Sequence, residues 1–205
     1  MEFKPMLLSR AEKAFDSPDY VFELKFDGVR MLAYCGDGDA RLVNRRGHGR
    51  TNTYTEIAAE LKNLNRKVVL DGEIIALNAD GRPDFYRLLK RDRVEKPSAR
   101  FLKETPVRYA VFDLLASDGK TLTERPWQER RKVLERLFAG ANFANIELTD
   151  VFPSAGKALF QAAARENLEG IVAKRSDGQY FPGRRAEAWI KIKNPNYQRP
   201  RTGNR

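Results

Sequence analysis

The stretch Tyr20-Val21-Phe22-Glu23-Leu24-Lys25-Phe26-Asp27-Gly28-Val29-Arg30-Met31-Leu32-Ala33-Tyr34 decides how this chain is read. Alternation from Tyr20 to Phe26 predicts a strand with Val21, Glu23 and Lys25 on one face and Phe22, Leu24 and Phe26 on the other. Such a strand presents a carboxylate and an amine side by side. Asp27-Gly28 interrupts it, a pair suited to a tight turn or a close backbone approach to a ligand, and Val29 to Tyr34 resumes the apolar pattern. The expectation is a hairpin-like unit that holds an amine, a carboxylate and a guanidinium together.

Four further segments mix charge into apolar runs. Val68 to Leu77 places Asp71 and Glu73 on one face, with Gly72 able to add a bulge. Val107 to Leu115 carries Phe112 and Asp113, and Glu169-Gly170-Ile171-Val172-Ala173-Lys174 is polar at both ends. Trp189-Ile190-Lys191-Ile192-Lys193 alternates cleanly, with both lysines beside Trp189. Carboxylates in near-core strands are costly unless paired, hydrogen-bonded or facing a site. One shared cleft is therefore expected, in which lysines and an arginine grip phosphate, carboxylates hold a hard cation and a ring stacks on a base. Asp71 and Asp113 read as residues holding a turn or backbone. Lys174 reads as either a phosphate contact or a surface residue, and His48 and Cys35 as residues without chemistry.

Around these strands the periodicity predicts helices at 6–15, at 54–64 capped by Asn52 or Thr53, and at 82–93 with a basic exterior. Another opens at Pro126 and buries Trp127, Leu134, Leu137 and Phe138, and a last one runs from a Ser154 cap to about Asn167. A strand from Ala40 to Asn44 leads into the basic loop Arg45-Arg46-Gly47-His48-Gly49-Arg50. The organisation expected is one domain over 1–194 and a basic, mobile tail over 195–205.

With 205 residues, 41% of them hydrophobic, the chain can build one core or two lobes sharing a cleft. Its 38 Lys and Arg against 28 Asp and Glu leave a net charge of +10, which favours a polyanionic partner, nucleic acid first. A single cysteine excludes an internal disulfide, and a single histidine leaves no His/Cys zinc cluster. No signal-peptide core or membrane-length apolar run is present, so the expectation is a soluble, cytoplasmic protein with no membrane partner.

Lys25-Phe26-Asp27-Gly28-Val29-Arg30 resembles the K-x-D-G-x-R motif of the covalent nucleotidyltransferases: ATP-dependent DNA ligases, RNA ligases and mRNA capping enzymes. The family's other motifs follow in order in Leu70-Asp71-Gly72-Glu73, Val111 to Leu115, Glu169 to Lys174 and Trp189 to Lys193. Lys4-Pro5-Met6-Leu7, Gly81-Arg82-Pro83-Asp84-Phe85 and Tyr180 to Arg185 are similar to signatures of the adenylation domain of bacterial ATP-dependent DNA ligases, the ligase D type in particular. The resemblance spans Pro5 to Lys193. It implies an α+β, ATP-grasp-like fold of antiparallel sheets flanked by helices, with ATP in the groove between them, in a bacterial, nucleoid-associated monomer; such ligases typically continue into an OB-fold domain, and with twelve residues after Lys193 none is expected here.

Carried over residue by residue, the resemblance makes Lys25 the nucleophile toward the α-phosphorus of ATP, forming lysyl-AMP for transfer to a 5′-phosphate at a DNA nick or break. Attack needs a neutral amine, which positive charge from Lys191, Lys193 and bound magnesium would favour. Glu23 would contact the adenine amino group and Phe112 stack on the ring. Arg30 and Glu73 would fix the ribose and phosphate region, and Glu169 with Glu73 would hold magnesium or manganese. Lys191 and Lys193 would neutralise developing phosphate charge. Arg45 would take the DNA 5′-phosphate, with Arg46 its rival because Asn44-Arg45-Arg46-Gly47 stands where Ser-Arg-Asn-Gly is usual. A separate clamp or end-joining protein would complete the DNA grip, sealing by this chain alone being weak. The alternatives are an RNA ligase, a GTP-using capping enzyme, and a silent nick-binding module.

Overall fold

The computed structural model describes residues 1–64, 66–79 and 81–199. Among them lie two β-sheets packed face to face. The first, five-stranded, runs β1-β11-β10-β2-β9 and contains β1 (Leu7–Ala11), β2 (Tyr20–Leu24), β9 (Phe152–Pro153), β10 (Gly170–Arg175) and β11 (Arg185–Lys193). The second, six-stranded, runs β4-β3-β5-β6-β7, with β8 also paired to β6. Its strands are β3 (Val29–Gly36), β4 (Asp39–Asn44), β5 (Val68–Ala76), β6 (Val107–Ser117), β7 (Lys120–Thr121) and β8 (Ile146–Leu148). Helices α1 (Thr55–Lys62), α2 (Phe85–Asp92), α3 (Ala99–Glu104) and α4 (Trp127–Phe138) occur within the stretch that builds the second sheet, and α5 (Gly156–Arg165) precedes β10.

Strand parity explains the layering. In β3, Met31 and Ala33 join the core formed with Ile57 and Leu61 of α1, Leu88 of α2 and Leu134 of α4. Leu32, between them, points the other way and packs with Met6, Val69, Leu115, Tyr180 and Trp189 in the layer where the two sheets meet. The far face of the first sheet is covered by α5, whose Leu159 and Ala163 pack on Phe22, Ile171, Ala173 and Ile192.

Several expectations are corrected. Residues 7–11 form an edge strand parallel to β11, with a register shift between Leu8 and Ser9, and not the start of a helix over 6–15. A short apolar run satisfies either period, and the available partner strand decides. Both sheets are mixed, because β1 with β11 and β6 with β8 are parallel pairs. Tyr54 and Ala155 precede α1 and α5 without side-chain caps, so neither Asn52, Thr53 nor Ser154 has the capping role expected of it. The irregular register near Gly72 skips Phe112 and Leu115 of β6, while β5 stays in step with β3. The short helix α3, capped by Ser98, had no periodic signature.

The largest correction concerns Lys25-Phe26-Asp27-Gly28. It does not turn a hairpin: β2 belongs to the first sheet and β3 to the second, so these residues cross from one to the other. Gly28 is needed at the crossing, since a Cβ there would lie 2.3 Å from the Ile74 carbonyl oxygen and 2.7 Å from Cγ of Glu73. Gly170, at φ +138°, opens β10 where a Cβ would meet the Ile192 carbonyl at 2.1 Å.

Cys35 lies at the end of β3, and burial pushes its thiol up to about 12. At pH 8 only about one such thiol in ten thousand is thiolate, the reactive form. Iodoacetamide should therefore label the native chain far more slowly than the urea-unfolded chain. Intact mass of the two samples over time checks this, and equal rates would show that the end of β3 opens freely.

Candidate active site

A cavity lined by residues of both sheets brings together Glu23, Lys25, Arg30, Glu73, Phe112 and Lys174, with Trp189 behind them. Lys25 follows β2, and its amide donates to the Gly170 carbonyl (2.9 Å), so the crossing starts from a fixed backbone position. Its Nζ donates to Oε2 of Glu169 at 2.7 Å, and Lys193 Nζ reaches Oε1 of the same carboxylate at 2.9 Å. Glu169 is nearly buried and Lys193 is half exposed. Lys191 is half-buried one strand pair along, opposite Val172. Partial burial and the neighbouring charges of Lys193, Arg185 and Lys25 hold its ammonium below the usual lysine range.

Arg30 crosses the register from Glu73 and forms a bidentate pair with Asp71, both bonds 2.6 Å. Asp71 also accepts from the Tyr180 hydroxyl at 2.6 Å, and that hydroxyl accepts from the Met6 amide at 2.8 Å. Asp71 thus orients a guanidinium and holds neither a turn nor its own backbone. Burial pushes the Glu73 carboxyl up to about 7; Arg30 and Lys25 pull it down, while Asp71 and Glu169 push it further up.

Glu23 and Lys174 form an ion pair at 2.7 Å that is almost wholly enclosed, and Glu23 also accepts from Thr149 Oγ1 at 3.1 Å. Burial pushes the carboxyl up and the ammonium down, each opposed by the partner's charge. Lys174 is therefore not a surface residue. Its Nζ stands 4.4 Å from the Phe112 ring centre, and the Arg30 guanidinium stands 4.6 Å from it. Phe112 is half-buried and meets Trp189 edge to face at 5.8 Å.

Arg45 and Arg46 are exposed and lie outside this cavity, in an adjoining basin that shares Arg30 and Glu73 with it. Asn44 shapes their loop by accepting from the amides of Arg46 and His48, both at 3.0 Å. Asp113 accepts a bidentate pair from Arg130 (2.8 and 2.7 Å) besides its neighbour's amide, Leu114 N. Arg91, expected on a basic exterior, is buried and donates to Glu56. Among the described residues no three His, Cys, Asp or Glu side chains gather as a ready metal cage, and no helix is long and apolar enough to cross a membrane.

The expected tail is also different where it is described. Tyr197 Oη donates to Asp27 at 2.9 Å and Arg199 grips the same carboxylate with two bonds, so residues 195–199 are tied to the crossing. The rest of the expected mobile tail lies outside the described residues.

Residues 5–193 match the family model described as ATP dependent DNA ligase domain. The chain belongs to that family. Among relatives of this DNA ligase domain, the multifunctional end-joining DNA repair protein LigD of Mycobacterium tuberculosis is 35% identical over 95% of this chain and 24% of its own length. The SPbeta prophage-derived DNA ligase-like protein LigB of Bacillus subtilis is 31% identical over 96% of this chain and 69% of its own length. A solved mycobacterial DNA ligase D complexed with ATP and MES superposes with a TM-score of 0.79 at 33% identity, covering 93% of this chain and 60% of that one. The chain thus spans about a quarter of the LigD proteins it matches.

Proposed function

We propose that this ligase domain transfers the adenylyl group of ATP to Lys25 Nζ and then to the 5′-phosphate of nicked or broken DNA. The observation that carries this reading is the position of Lys25. It stands where the chain crosses between sheets, inside a cavity to which both contribute, with Arg30 and Glu73 opposite it and Glu169 at hydrogen-bond distance. In the first step the amine forms a bond to the α-phosphorus, the bond to pyrophosphate breaks, and the amine loses a proton. Glu169 holds the Lys25 amine by a 2.7 Å hydrogen bond, so attack requires its release from that carboxylate.

Lys191 and Lys193 border the same carboxylate and supply positive charge to the phosphates. Arg30, held by Asp71, presents its charge over the Phe112 ring. Stacking of a base on Phe112 requires one of the two cations over its ring to move aside. The enclosed Glu23–Lys174 pair closes the purine end of the cavity. Arg45 and Arg46, exposed in the adjoining basin, would receive the 5′-phosphate from the side of Arg30.

A magnesium ion fits the donor set: Glu169 adds to the negative potential at Glu73, and magnesium favours one or two carboxylates together with substrate phosphates. When bound it would neutralise phosphate charge. Incubation with ATP and magnesium, after pyrophosphate treatment to strip any bound AMP, tests the reading by intact mass. The expected result is a gain of one AMP from ATP and none from GTP; no gain from wild type would favour a silent nick-binding domain.

A further inference from the structure

The Asp27 carboxylate is 9% exposed and is one of the most fully bonded groups near the crossing. It accepts from Tyr197 Oη at 2.9 Å and from Arg199 Nε and Nη2 at 2.6 and 2.9 Å. The segment that supplies these donors is itself fixed. The Asn194 amide donates to the Glu169 carbonyl (2.9 Å) and its side chain donates to the Leu168 carbonyl (3.1 Å). Asn167, in a left-handed conformation at φ 51°, exchanges two hydrogen bonds with Gln198. The Arg199 guanidinium also lies 3.9 Å from the Phe85 ring centre at the start of α2. Tyr197, Lys25, Asp27 and Glu169 all line a 250 Å³ cavity behind the nucleophile.

We propose that Tyr197 and Arg199 are positioning residues for the reaction at Lys25, acting through Asp27. The strap they form joins the two pieces of chain whose separation sets the Lys25 to Glu169 distance: the crossing and the turn that leads into β10. With Asp27 pinned at one end and the Lys25 amide bonded to Gly170 at the other, the crossing is held at both ends. Displacements of about 1 Å in a reacting group cost up to roughly a hundredfold in rate. Arg199 is half exposed, and exposed ion pairs contribute little to stability. Its loss should therefore disturb the geometry of the crossing more than the fold.

This inference rests on the adenylyl-transfer reading, and the test separates the two. The rate of lysyl-AMP formation is followed by intact mass over a range of ATP concentrations for wild type, Arg199→Ala, Arg199→Lys and Tyr197→Phe. Arg199→Ala should lower kcat about tenfold with KM for ATP within about twofold, Arg199→Lys should recover part of the loss, and thermal midpoints should stay within a few degrees. Unchanged kcat in a Tyr197→Phe/Arg199→Ala double variant overturns the proposal, as does a change confined to KM. Should wild type form no adduct, the functional reading fails by itself. Hydrogen exchange at the Lys25 to Gly28 amides then decides: faster exchange in Arg199→Ala sustains the strap, and identical exchange refutes it.

Discussion

Lys25→Ala should form no AMP adduct at any ATP concentration, and Lys25→Arg should behave the same way. Alanine removes the nucleophile, while arginine keeps a positive charge near Glu169 but cannot release a proton to become nucleophilic. The fold should survive both changes. Lys25 is partly solvated, and Glu169 retains its pair with Lys193 when Lys25 is gone. Thermal midpoints close to wild type would separate a chemical defect from misfolding. A residual adduct on Lys25→Ala, mapped by peptide mass, would transfer the nucleophile's role to another lysine, with Lys193 the nearest in charge and position. That outcome would end the present reading of the crossing.

The second large effect belongs to stability. Arg130→Met should destabilise the chain by about 3–5 kcal/mol, because it leaves the Asp113 carboxylate buried without its partner. Neither side chain is more than 1% exposed, and Arg130 also donates to the carbonyls of Arg125 (2.6 Å) and Gly178 (3.1 Å). One guanidinium therefore fastens β6, the entry to α4 and the loop before β11. Against a typical total of 5–15 kcal/mol, such a loss moves a urea midpoint far and would lower the thermal midpoint by roughly 6–20 °C. The double change Arg130→Met/Asp113→Leu should recover much of it, since the unpaired charge disappears. A single variant as stable as wild type would show that water reaches Asp113.

Strands β2 to β6, β10 and β11 are legible from sequence because their alternation or apolar runs are strong, whereas β1 and the short β7, β8 and β9 are not. Glu23 joined the nucleophile by parity alone, and the structure keeps both on one cavity. What sequence could not supply was pairing at a distance. Asp71 and Arg30 are 41 positions apart, Lys174 and Glu23 much further, and no local spacing tells an enclosed charge from a solvated one. Arg91 and Arg130 look like any arginine on the polar side of a helix, yet each is buried against a carboxylate. The crossing at Lys25 reads as a hairpin in sequence for a related reason. Asp-Gly between two apolar runs is a hairpin signal, and only the pairing of β2 with β10 rather than β3 overrides it. Tyr197 and Arg199 sit in a stretch with no periodicity, so nothing in the sequence marked them as bonded.

The order of the strands has a consequence for how the domain is made. The first sheet opens with β1 and β2, the chain leaves it at Lys25, and it returns only after Thr149, whose hydroxyl bonds back to Glu23. Everything between, including β3 to β8 and four helices, is one uninterrupted insertion. On a ribosome that insertion emerges whole, with most of its partners already present, and can begin folding early. Strand β2 has to wait: its neighbour β10 and the next strand, β11, are synthesised more than a hundred residues later. The chain end that closes the first sheet also carries Glu169, Lys191, Lys193 and the Asp27 strap. On the adenylyl-transfer reading, a nascent domain carries its lysine before the groups that surround it are made, and chemical competence would arrive with β11.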